Sequence, residues 1–158
     1  MSDAAGGAHT AGDGDGWLGP GVAEIAHTAD LGIEVEAEDR AELFRRAAQA
    51  LFRLRSGTQA ADRAAHGVPL RFEVEVSADE PPVLLVRWLA ELLYLAEAQH
   101  FELGSTEFHT LDDLRLVATV HGWRSAFDPV RELKGVTYHG LELRHFEGRW
   151  WARVIFDI

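Results

Sequence analysis

Two stretches of the chain set carboxylates into apolar strand sequence in a way that could bind a cation. One is His27-Thr28-Ala29-Asp30-Leu31-Gly32. The other closes the sequence: Trp150-Trp151-Ala152-Arg153-Val154-Ile155-Phe156-Asp157-Ile158. A strand period sends Trp151, Arg153, Ile155 and Asp157 to one side of this last segment, and Trp150, Ala152, Val154, Phe156 and Ile158 to the other. Chain ends are ordinarily polar and mobile, whereas this one reads as packed core to its last residue. If it is ordered, the Asp157 side chain and the Ile158 terminal carboxylate sit close together. Adjacent carboxylates repel unless a cation or a proton separates them. A third, from Asp30, makes a hard, oxygen-rich, anionic site suited to Ca2+ or Mg2+. The plainer alternative stays open at this level: Asp30 caps a turn and Asp157 pairs with an arginine.

Three other residues stand near these stretches or in short polar breaks beside strands. His27 and His139 are not at a familiar zinc-ligand spacing to another histidine, so a hydrogen-bonded role beside the metal suits them better. Lys134, the only lysine, precedes Gly135-Val136-Thr137-Tyr138-His139. It could face a phosphate or a carboxylate, or be an ordinary surface charge. No glycine-rich phosphate loop and no Ser or Cys nucleophile motif is present.

The elements that must position these residues are legible in the hydrophobic pattern. Val22 to His27 is expected as a short strand, followed by a turn at His27–Asp30. Leu31, Ile33, Val35 and Ala37 then alternate with Gly32, Glu34 and Glu36, as in a half-buried strand paired to the first in a hairpin. Asp39-Arg40-Ala41-Glu42 is a capping box opening a helix to about Leu54, with Leu43, Ala47, Ala50, Leu51 and Leu54 as its buried stripe. Arg45, Arg46 and Arg53 fall largely off that stripe, as a solvated face or a basic patch. Positions 55–67 are expected as a loop, and Leu70, Phe72, Val74 and Val76 mark a strand. A second helix begins at Pro81-Pro82 and carries the wider apolar face, so it is expected to be the more deeply buried of the two. Phe101–Thr110 and Leu114–Trp123 read as a hairpin. Arg124–Leu133 is a polar connection, and Val136–Leu143 and Trp150–Ile158 pair across Glu147-Gly148. Two main helices packed on a mostly antiparallel sheet of about seven strands define an α+β fold.

Composition bounds the function. One domain fits 158 residues, expected over 20–158, with a disordered Gly- and Ala-rich tail over 1–19. There is no cysteine, no apolar run near the ~20 residues that span a bilayer, and no basic segment leading into an apolar one as in a secretory signal. A cytoplasmic protein is the default expectation. The formal charge of −11, from 15 basic and 26 acidic residues, argues against broad nucleic-acid binding by this chain alone.

Four blocks carry a resemblance: His27–Ile33, Trp88-Leu89-Ala90-Glu91-Leu92-Leu93-Tyr94-Leu95, Lys134–His139 and the ending Val154–Ile158. In their order and spacing, from about Val22 to Ile158, they resemble the archease family. The resemblance implies a small α+β protein with a metal site of aspartates and the C-terminal residue, here Asp30, Asp157 and Ile158, holding Ca2+ in the first instance, or Mg2+ or Mn2+. It also implies a cofactor of an RtcB-type RNA ligase, which uses GTP to join a 3′-phosphate or 2′,3′-cyclic phosphate end to a 5′-hydroxyl. The cofactor promotes guanylylation of the ligase and its return to activity after turnover, in tRNA splicing and, in bacteria, RNA repair. GTP and RNA would be met through the ligase, and no membrane is involved. Gly140 departs from the family pattern, where a polar residue, often Asp, is expected after Tyr138-His139. An activator without turnover of its own is favoured over a stand-alone metal-dependent phosphoester hydrolase, because no general base beyond His27 or His139 is evident. A chaperone that binds exposed apolar surface is the third reading.

Overall fold

The computed structural model describes residues 16–26, 30–58 and 67–158. Seven strands and two helices follow in the order β1 (Val22–Ala26), β2 (Asp30–Ala37), α1 (Arg40–Ser56), β3 (Val68–Ser77), α2 (Pro81–Gln99), β4 (Phe101–Leu111), β5 (Arg115–Arg124), β6 (Gly135–Phe146) and β7 (Arg149–Asp157). The α+β class is as expected from the pattern. The strands, all antiparallel, divide between two sheets: β1-β2-β7-β6 and β3-β5-β4. Alternation marks each strand's inner face. Ile33, Val35, Ala152, Val154 and Phe156 line the first sheet, and Leu116, Ala118 and Val120 line the second.

The helices join the sheets. α1 packs on β1, β2 and β7 of the first sheet and on β4 of the second, while α2 packs on β6 and on all three strands of the second sheet. Trp88 of α2 is fully buried, and its indole N–H donates to the Phe44 carbonyl of α1 at 3.1 Å. Phe101 at the start of β4 meets Phe52 and Phe72 in perpendicular, edge-to-face pairs, with ring centroids 5.8 and 5.4 Å away. Such edge-to-face contacts add to the burial energy of the rings themselves.

The expected order of burial between the helices is reversed. No residue of α1 is exposed, whereas α2 leaves Arg87, Ala90, Tyr94 and Glu97 in solvent. Small Ala47, Ala48 and Ala50 let neighbours close around α1. Nor are its arginines a solvated face or an open basic patch. Arg45 lies over the Phe108 ring at 5.3 Å and binds Glu42 at 2.9 Å, and Arg46 binds Glu42 and the Glu36 carbonyl at 3.1 and 2.7 Å. Glu42 is thereby occupied, so only half of the expected capping box forms: the Asp39 carboxylate accepts from the Glu42 N–H at 2.8 Å. α1 continues to Ser56, and Gly57, at φ +73°, caps it by donating to the Arg53 carbonyl.

Leu18 is 2% exposed and belongs to the core. Residues 1–15 of the expected tail, and 59–66 of the expected loop, lie outside the described residues. Segment 125–134 takes the chain back toward the chain end. Its Ser125 N–H donates to the His100 carbonyl, and the N–H groups of Val130 and Arg131 both reach the Arg55 carbonyl at the end of α1. Leu133 is buried, which places Lys134 at the entry to β6.

Candidate metal and partner site

Asp30 is the first residue of β2 and Asp157 the last of β7, and the register sets them directly opposite one another. Gly135, the first residue of β6, faces Asp157 from its other side. Asp30, Asp157 and Gly135 therefore form one rung at the end of the first sheet. The flanking Leu31 and Phe156 are buried, so by alternation both aspartates belong to the outer face, Asp157 exposed and Asp30 partly so. Like charges directly opposite in an antiparallel pair are destabilising. Among the described residues neither aspartate side chain makes a hydrogen bond or an ion pair. The arginine on the same face, Arg153, goes to Glu34 at 3.1 Å, so the pairing of Asp157 with an arginine is not formed.

The wall beside this rung rests on two glycines. Ile155, two residues before Asp157, sits over Gly32: a Cβ at that glycine would lie 2.6 Å from Ile155 Cδ1 and 3.2 Å from the Val154 carbonyl oxygen. On the other side β6 departs from regular pairing. The register passes from Thr137 opposite Ile155 to Glu142 opposite Arg153, so the four residues 138–141 face Val154 alone. Gly140 turns this wide bulge at φ +62°, and its Cβ position is 3.8 Å from Ile155 Cγ1. Ile155 is consequently only 5% exposed although it lies on the outer face. The Thr137 hydroxyl donates to the Ile155 carbonyl at 3.1 Å and fixes the entry to the bulge. Bulges of this kind re-aim side chains and are frequent beside functional sites.

The structure brings some of the expected site residues together. Asp30 and Asp157 meet. Lys134 joins them through its backbone, its N–H donating to the Asp157 carbonyl at 2.7 Å, while its side chain is exposed and makes no ion pair among the described residues. His139 is in the bulge and is exposed. His27 lies outside the described residues. Ile158 corrects the expectation of core to the last residue: it is 44% exposed, and packing on this strand stops at Phe156. Among the described residues no three His, Asp or Glu side chains converge as metal ligands. The carboxylates that the rung itself sets together are the Asp30 and Asp157 side chains. That set has the hard-oxygen chemistry of a Ca2+ or Mg2+ site. Sequence reasoning missed the bulge, although a glycine inside an otherwise alternating strand was a signal for it.

Comparison with known proteins bears on the whole chain. A family model described as the Archease protein family matches residues 23–158. The chain belongs to the archease family. A protein archease from Methanosarcina barkeri is 31% identical over 144 residues, covering 85% of this chain and 93% of its own length. One from Archaeoglobus fulgidus is 29% identical over 137 residues, covering 85% and 96%. The solution structure of protein 1598 from Methanobacterium thermoautotrophicum superposes with a TM-score of 0.64 at 26% identity, over 87% of this chain and 99% of that one. A crystal structure of an archease from Thermotoga maritima, described as a possible chaperone, has a TM-score of 0.59 at 18% identity, over 85% and 94%, and shares the fold. Among the described residues no helix is long and apolar enough to cross a membrane.

Proposed function

We propose that this protein is a metal-binding cofactor of an RtcB-type RNA ligase, promoting guanylylation of the ligase and its multiple turnover, without turnover of its own. The observation that supports this most directly is the Asp30–Asp157 rung on the outer face of the first sheet, in a chain of the archease family. Asp30, Asp157 and the Ile158 terminal carboxylate would hold the cation, Ca2+ in the first instance. Bound there, it would supply positive charge beside the ligase's own metal and GTP phosphates. The chain's residues do the positioning. Gly32 and Ile155 set the wall, the Lys134 N–H fixes the Asp157 backbone, and the exposed Lys134 ammonium is free to meet a phosphate. The ligase holds the RNA, which accords with the formal charge of −11.

The test is multiple-turnover ligation by the cognate ligase with GTP and Mn2+, with and without this protein. Wild type is expected to restore turnover, and Asp30→Ala and Asp157→Ala to lose that effect while keeping the folded circular-dichroism signal, because each removes a surface carboxylate and no core volume. Metal-dependent phosphoester hydrolysis by the protein alone, lost in Asp30→Ala, would sink the cofactor reading in favour of a hydrolase. Suppression of client aggregation that survives loss of both aspartates would favour a chaperone.

A further inference from the structure

We infer, resting on the ligase-cofactor reading, that the β6 bulge is the element that docks on the ligase, with Tyr138 as its anchor beside the acidic rung. Tyr138 is 60% exposed. It begins the four-residue excursion 138–141, which leaves the paired strand directly after Thr137, the partner of Ile155. Through Gly140 this excursion turns back toward Ile155, on the same outer face as Asp30 and Asp157. A regular β6 would complete its ladder with β7. The bulge forgoes those bonds and leaves the Tyr138 ring and His139 exposed, in the strand whose first residue completes the Asp30–Asp157 rung.

Charge selects the occupant. Asp30, Asp157 and the chain-terminal carboxylate are set against the single ammonium of Lys134, so the matching surface is basic or metal-bearing. A ligase that binds GTP and phosphate-ended RNA must present such a surface where it holds those phosphates. A tyrosine supplies a large, rigid ring with a polar tip, the kind of side chain that concentrates binding energy at protein interfaces. The division of labour follows: the carboxylates act on the ligase's reacting centre, while Tyr138 holds the complex.

The experiment titrates full-length wild type, Tyr138→Ala and Tyr138→Phe into the cognate ligase, reading complex formation by surface plasmon resonance and, in parallel, multiple-turnover ligation. Tyr138→Ala is expected to weaken the complex at least about tenfold. It should raise the half-activating concentration by the same factor, yet reach the wild-type maximal rate at saturation with an unchanged thermal midpoint. Tyr138→Phe, which keeps the ring, is expected to stay close to wild type. Asp157→Ala should instead fail to activate even at concentrations that saturate the ligase. If wild type activates and Tyr138→Ala does so at the same half-activating concentration, the anchor is overturned and the cofactor reading stands. If wild type binds no ligase and activates none, the cofactor reading fails and the anchor with it.

Discussion

Asp30 and Asp157 differ from the carboxylates farther along β2 and at the start of α1 in where the backbone puts them. Glu34, Glu36 and Glu42 each have an arginine in reach, whereas the register sets the two aspartates against each other. Single atoms around them decide the shape of that end of the sheet. At Gly32 a methyl group would meet Ile155 Cδ1 at 2.6 Å, the Val154 carbonyl oxygen at 3.2 Å and Ile25 Cβ at 3.5 Å. The backbone oxygen cannot yield, and Ile155 is already confined beneath Gly140. Gly32→Ala is therefore expected to destabilise the protein by about 1–3 kcal/mol, seen as a lower urea midpoint, and to reduce ligase activation through the displaced wall. The aspartates were legible in the sequence from their apolar surroundings. The reason for Gly32 was not, because the atom that forbids a side chain there comes from a strand at the far end of the chain.

At the scale of elements, helix α1 shows how far pattern reading goes. Its start is written locally: Asp39 followed by Glu42 predicts the cap, and the Asp39 carboxylate does accept from the Glu42 N–H. Asp39→Ala should cost about 1 kcal/mol of stability, measurable by urea denaturation, with ligase activation at saturation unchanged because the cap is not part of the rung. The fate of Glu42 was not local. Arg45 and Arg46 each take one of its carboxylate oxygens and hold it against a return bond to the cap. The Arg45 guanidinium lies over the Phe108 ring, and both charges find partners. Which helix is surrounded depends on how many elements close on it. An apolar face as wide as that of α2 says what it can bury, and not that Arg87 and Tyr94 will be left outside.

For the molecule as a whole, the arrangement of two sheets with helices against both places an early strand beside the last one. β2 and β7 are neighbours in the first sheet, and segment 125–134 returns the chain so that β6 closes on the other side of β7. On the proposed function this makes the chain terminus a working part. Extending the protein beyond Ile158 converts its carboxylate to an amide and removes one of the three proposed oxygen ligands. A short C-terminal tag is expected to leave the thermal midpoint near that of wild type and to abolish or sharply reduce activation. The same tag at the N-terminus should be neutral. A C-terminally tagged protein with full activity would count against the terminal carboxylate as a ligand.

The sequence by itself determined the secondary structure and the candidate residues. Period-two alternation along Leu31–Ala37 and Leu114–Val120, the cap at Asp39, the prolines opening α2 and the carboxylates at Asp30 and Asp157 are local properties, set by side-chain chemistry and backbone geometry within a few residues. Only the tertiary structure decided that the strands divide into two sheets, that α1 is enclosed and α2 is not, that Asp30 faces Asp157, and that β6 bulges at Tyr138. Each of these depends on residues far apart in sequence coming within a few ångströms. Strand order and register are settled by the joint packing of all the elements, which no single segment encodes.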